Sequence, residues 1–174
     1  MKILKTKIKG VHIIKISAKK DSRGSFARLF CEKIFKKKKI KIKQINNSIN
    51  KKIGTTRGLH YQIKPFEEDK IIKCIKGSLV NIIVDMRKKS KTYLKHILIK
   101  LDEKKSNMSL VPKGCANGIQ TLQKNTEIVY FVSNFYSPLH ERGLNYKDPS
   151  LQIKLPKKIN VMSKKDKNWP YIKI

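Results

Sequence analysis

The chain has 174 residues, a formal net charge of +30 and 39% hydrophobic residues. That apolar fraction is enough for a packed core and excludes a wholly disordered chain. The apolar runs, such as Ile82-Ile83-Val84, fall far short of the roughly 20 residues of a membrane span, and MKILKTKIKG lacks the apolar stretch of a secretory leader. In chain order, the first predicted strand is Val11 to Ser17, followed by a short helix from Cys31 to Lys38. Ile40 to Ile49 alternates apolar and polar residues and reads as a half-buried strand. Further strands are predicted over Thr55 to Gln62, Lys70 to Ile75, Ser78 to Asp85, Tyr93 to Leu101, Met108 to Val111, Ile119 to Leu122 and Glu127 to Ser133. Turns fall at Ile53-Gly54, Lys76-Gly77, Lys88 to Lys91, Asp102 to Asn107 and Pro112 to Gly114. Ser163 is placed to cap a last helical turn through Asp166. Strands at a spacing of roughly ten residues predict an all-β sandwich or barrel, one domain over 1–174.

The charge invites a nucleic-acid reading, and the residue types weaken it. Arginine reads phosphates and base edges best, yet only Arg23, Arg28, Arg57, Arg87 and Arg142 are present among 42 basic residues. The lysines are spread along the chain, with one dense run at Lys36-Lys37-Lys38-Lys39. We read a solvated lysine surface with salt-sensitive, non-specific attraction to polyanions. Cys31, Cys74 and Cys115 lie far apart, as expected of reduced thiols in a cytoplasmic protein.

His60 stands in Arg57-Gly58-Leu59-His60-Tyr61-Gln62. On a regular strand Gly58, His60 and Gln62 share one face, and Arg57, Leu59 and Tyr61 the other. This segment and Pro112-Lys113-Gly114 resemble the two short motifs of a cupin barrel. Gln62 and Asn117 stand where metal-binding cupins carry further histidines, and one histidine cannot supply an N/O metal site. A metal-free cupin is therefore expected.

More residues extend the pattern: Asp21-Ser22-Arg23-Gly24-Ser25-Phe26, Gln44-Ile45-Asn46, Cys74-Ile75-Lys76-Gly77, Asp85-Met86-Arg87, Thr126-Glu127-Ile128-Val129-Tyr130, Phe135-Tyr136-Ser137-Pro138, Glu141-Arg142-Gly143 and Ser163-Lys164-Lys165-Asp166. In this order and spacing the chain resembles the dTDP-4-dehydrorhamnose 3,5-epimerase family. The resemblance implies a cupin-type double-stranded β-helix, or jelly roll, with a few short helices. It implies a cofactor-independent homodimer in the cytoplasm, without metal, specific nucleic acid or membrane partner, serving deoxysugar and polysaccharide biosynthesis. The implied reaction inverts C3 and C5 of a nucleotide-linked 4-keto-6-deoxy sugar. A proton beside a ketone is a poor acid, so the reaction needs a placed base, a stabilised enolate and an acid on the opposite face.

By the resemblance His60 is that base and Asp166 its partner, Lys70 stabilises the enolate oxygen, and Tyr130 is the acid. Arg23, Phe26, Arg28, Gln44, Asn46, Arg57, Asn117, Tyr136, Glu141 and Lys165 match substrate-contact positions. Read alone, Tyr130 is a barrel-wall aromatic and Asp166 a helix cap. Asn117 and Arg28 depart from the family pattern, which more often carries histidine and glutamate there. They keep open a single-carbon epimerase or a GDP- or CDP-linked substrate. The residues also admit a sugar-nucleotide binder without catalysis, and the charge admits a polyanion-binding protein.

Overall fold

The computed structural model describes residues 1–36 and 39–172. Its strands are β1 (Lys2–Lys5), β2 (His12–Lys15), β3 (Lys19–Asp21), β4 (Gly24–Phe26), β5 (Gln44–Asn50), β6 (Thr56–Gln62), β7 (Lys70–Lys76), β8 (Ser78–Asp85), β9 (His96–Asp102), β10 (Asn107–Val111), β11 (Cys115–Thr121), β12 (Thr126–Val132) and β13 (Glu141–Gly143). Two short helices are α1 (Glu32–Phe35) and α2 (Lys164–Lys167). A six-stranded antiparallel sheet in the order β1-β2-β10-β7-β12-β5 faces a five-stranded sheet in the order β13-β6-β11-β8-β9, and β3 and β4 form a separate hairpin. This is the jelly roll expected from the sequence.

Three apolar layers follow from strand alternation. Ile72, Leu79, Ile83, Leu101, Val111 and Ile128, drawn from both sheets, pack between them. Ile14, Ile71 and Phe131 point outward from the larger sheet and are covered by Phe35 and Ile40. Leu59, Val80, Ile82 and Val84 point outward from the smaller sheet against Leu144 and Leu151. Strand β8 is buried at every position, because alternate residues serve the inner and outer layers. That explains its near-continuous apolar sequence.

The structure changes several expectations. Residues 40–43 are irregular, and the strand begins at Gln44. Its faces are also inverted relative to a half-buried amphipathic strand. The polar Gln44, Asn46 and Ser48 line the interior cleft, while Ile45 and Ile49 are 60% and 61% exposed on the edge strand. Tyr93 to Lys95 belong to a turn, so the strand predicted from Tyr93 begins at His96. Strand β11 begins at Cys115, four residues before the predicted Ile119, and the polar Asn117 and Gly118 masked it. The short strands β1, β3, β4 and β13 carry no sequence alternation long enough to reveal them. The predicted Cys31 to Lys38 helix is realised over Glu32–Phe35; positions 37 and 38, in the middle of the lysine run, lie outside the described residues. No described helix is long and apolar enough to cross a membrane.

Candidate active site

Residues of β5, β6, β7, β11 and β12 line a cleft, and α2 contributes Lys165 and Asp166 to its wall. It has two lobes, of about 520 and 330 Å³, and His60, Lys70 and Tyr130 line both. Ser48, Arg57, Asn117, Ser163, Lys165 and Asp166 are the other polar residues of the larger lobe that bear on the site. Gln44, Asn46, Glu68, Tyr136 and Glu141 are among those lining the smaller.

His60 and Asp166 are 106 residues apart, and the tail that carries Asp166 is fastened to the start of β6. Thr56 N–H donates to Val161 O at 2.8 Å, and Asn160 N–H to Gly54 O at 3.1 Å. Ser163 then caps α2, its Oγ accepting from Asp166 N–H at 3.0 Å. This is the predicted cap, and it turns the Asp166 carboxylate inward. Oδ1 lies 2.6 Å from His60 Nε2, and Oδ2 accepts from Gly58 N–H at 3.1 Å. Gly58 has φ of +99°, and a Cβ there would lie 2.6 Å from Asn117 O, so this close crossing of β6 and β11 requires glycine. Burial alone would push the Asp166 carboxyl upward. The hydrogen bonds from His60, Gly58 and Ser163 overcome it and hold the group below its ordinary value. An ionised Asp166 accepts from Nε2–H, which leaves the Nδ1 lone pair of a neutral ring free.

Nδ1 lies 3.8 Å from Glu141 Oε1. The other Glu141 oxygen accepts from Tyr136 OH at 2.9 Å and from Lys165 Nζ. Burial raises the Glu141 carboxyl, but the Lys165 and Tyr136 hydrogen bonds and the nearby His60 bring it below its usual value. The same contacts raise Tyr136, chiefly through its bond to Glu141, and raise Lys165. Gly143 pairs with His60 across β13 and β6. Trp169 occupies the space a side chain at Gly143 would fill, 2.0 Å from an added Cβ, and meets the imidazole edge-on with centroids 6.1 Å apart.

Lys70 Nζ is 2.9 Å from Glu68 Oε1. Sequence reasoning does not single out Glu68. Its position two residues before Lys70, in the extended approach to β7, is the only signal that could have found it. Tyr130 is raised, first by burial and also by Glu68, against a lowering by Arg57. Arg57 donates from Nε to Asn50 Oδ1 at 2.8 Å. It lines the lobe with His60, contrary to strict alternation, because the β6–β11 register shifts by one residue between Asn117 and Ile119. Gln62 lines the smaller lobe as well, and its amide holds the backbone of Phe66, Phe135 and Ser137 and so positions the Tyr136 loop.

Among the fourteen residues expected at the site, eleven line the two lobes. Arg23, Phe26 and Arg28 do not. They lie on or just after the exposed β3–β4 hairpin, where Arg23 pairs with Asp21 at 2.7 Å and Phe26 is 69% exposed.

A family model described as dTDP-4-dehydrorhamnose 3,5-epimerase matches residues 5–173. An enzyme of that description from Sinorhizobium fredii is 40% identical over 153 residues, covering 86% of this chain and 78% of its own length. One from Shigella flexneri is 35% identical over 97% of this chain and 94% of its own. Among solved structures, dTDP-4-dehydrorhamnose 3,5-epimerase from Bacillus anthracis, with TDP and PPi bound, superposes with a TM-score of 0.93 at 31% identity, covering 98% of this chain and 99% of that one. The Legionella pneumophila dTDP-6-deoxy-D-glucose-3,5-epimerase in complex with dTDP-4-keto-L-rhamnose gives 0.89 at 29% identity, over 95% and 89% of the two chains.

Proposed function

The chain belongs to the dTDP-4-dehydrorhamnose 3,5-epimerase family, and on that premise we propose that it inverts C3 and C5 of dTDP-4-dehydro-6-deoxyglucose. It is an isomerase of the carbohydrate-epimerase type. The observation that carries the substrate and the roles is the contact of His60 with Asp166 inside a cleft shared with Lys70 and Tyr130. In this reading His60 Nδ1 takes the proton from the carbon beside the ketone. The electron pair moves onto the C4 oxygen, and Lys70 stabilises the enolate charge there. Asp166 fixes the ring orientation and balances the imidazolium that forms. Tyr130, kept protonated by burial, gives its proton to the opposite face; the phenolate then regains a proton from solvent and the imidazolium releases the one it took, which resets both groups. Repetition at the second carbon completes the double inversion with no net change in atoms or oxidation state.

Tyr136, Glu141, Lys165, Gln44 and Asn46 then form the nucleotide-facing half of the cleft, and Arg57 and Asn117 the sugar-facing half. The working unit in this proposal is a cytoplasmic homodimer. The exposed Ile45 and Ile49 of the edge strand β5, and the Arg23, Phe26 and Arg28 segment held away from the cleft of its own chain, support a second copy. The test is proton NMR of dTDP-4-keto-6-deoxyglucose with the protein in D2O. Deuterium entering both C3 and C5 supports the double epimerase. Exchange at one carbon reduces it to a single epimerase, and no exchange with folded protein refutes it.

A further inference from the structure

Two fully buried polar side chains in the inter-sheet core are unused by this mechanism. Asn81 on β8 and Ser109 on β10 are both 0% exposed, among Ile72, Leu79, Ile83 and Val111 of the apolar layer. Buried polar groups are costly unless hydrogen-bonded, and these two form a relay across the sheets that ends at the cleft. Asn81 Nδ2 donates to Ser109 Oγ at 2.7 Å. Asn81 Oδ1 accepts from Asn117 Nδ2, and Asn117 lines the larger lobe.

The same Asn117 nitrogen lies 3.4 Å from the carbonyls of Ile82 and Gly118. A backbone carbonyl can only accept, so the amide nitrogen must face the core and the oxygen the other way. Asn117 Oδ1 accepts no hydrogen bond among the described residues, and it is not among the sealed unpartnered polar atoms. Asn117 also pairs directly with His60 in the β6–β11 ladder.

We propose that Asn117 is a specificity-determining residue that presents a fixed, uncharged hydrogen-bond acceptor beside the base, and that Asn81 and Ser109 are the positioning residues that lock its amide. The matching ligand chemistry is a ring hydroxyl next to a reacting carbon, and this rests on the proposed function above. A histidine at this place could donate or accept according to tautomer and protonation. The locked asparagine only accepts, so it selects the hydroxyl and gives nothing to the enolate oxygen, which is left to Lys70.

The test is C5 deuterium exchange for the parent sugar nucleotide and for its 2-deoxy and 3-deoxy analogues, since C5 is acidified by the C4 ketone in all three. The expected result is that at least one analogue loses about tenfold in kcat/KM with the unaltered protein, the worth of one hydrogen bond. That loss disappears in Asn117→Ala and shrinks in Asn81→Leu and in Ser109→Ala. Ser109→Ala barely changes core volume and serves if the Asn81 variant does not fold. A purely structural relay would lower the melting temperature and leave the analogue-to-parent ratio unchanged, which overturns the proposal. So does equal reactivity of all three sugars with the unaltered protein. No exchange even with the parent sugar refutes the proposed function and this inference with it.

Discussion

Asp166→Asn changes one atom and should remove the base. Asp166 spends Oδ2 on Gly58 N–H at 3.1 Å and Oδ1 on His60 Nε2 at 2.6 Å. In the variant the buried Gly58 N–H still requires an acceptor, so the amide oxygen stays there and the NH2 group faces Nε2. Nε2 must then accept, the ring proton moves to Nδ1, and the lone pair aimed into the cleft is lost. Turning the amide over restores the tautomer and orphans Gly58 N–H, at about 1–3 kcal/mol. It still lacks the charge that balances the imidazolium. Two unit charges 2.6 Å apart interact by about 6 kcal/mol at an effective dielectric of about 20, and desolvation of the carboxylate offsets part of this. The sum matches the roughly 10²- to 10⁴-fold contribution of a positioned general base. We expect C3 and C5 exchange, followed by NMR under substrate saturation, to fall about 10³-fold, with a single cooperative melting transition retained at a somewhat lower midpoint. A variant within about fivefold of the unaltered protein would refute the tautomer argument.

Three further predictions concern separate features. Tyr130→Phe should let deuterium enter from the His60 side while inversion slows at least about 10²-fold; an epimer formed at the normal rate would remove Tyr130 as the acid. Asp85, Glu141, Asp148 and Asp166 resist burial through hydrogen bonds and are all held below their ordinary carboxyl values. The folded chain therefore binds fewer protons than the unfolded one near about pH 4, so stability is present above that range and is lost as pH falls through it. The urea midpoint should drop between about pH 7 and about pH 3.5, and a constant midpoint would contradict the assignment. Burial pushes the Cys74 and Cys115 thiols up to about 11 and about 12, whereas Cys31 is half-buried. Iodoacetamide at about pH 8 should mark one thiol in the folded protein and three after denaturation, counted by mass spectrometry.

The long strands were legible because each presents a burial period of two or, like Ser78–Asp85, a run buried on both faces. The edge strand β5 misled because its polar side lines a cleft. Period alone reports two faces and leaves open which one is inside. Cys115–Thr121 was half concealed for the same reason, since Asn117 and Gly118 look like turn residues. Of the site, the His60 segment and the Ser163 cap were readable locally. Their meeting depends on hydrogen bonds that tie Gly54 and Thr56 to residues 160 and 161, which no local pattern encodes. Glu68 beside Lys70, the Glu141 contact to His60, and the Asn81–Ser109 relay are cross-strand facts of the same kind.

The most direct test of the central claim is His60→Ala in the D2O exchange assay, with folding verified by the melting curve. Exchange at both C3 and C5 should fall at least about 10³-fold, since His60 is the one described imidazole lining the cleft and the one paired with Asp166. Exchange at either carbon near the rate of the unaltered protein would show that His60 is not the base.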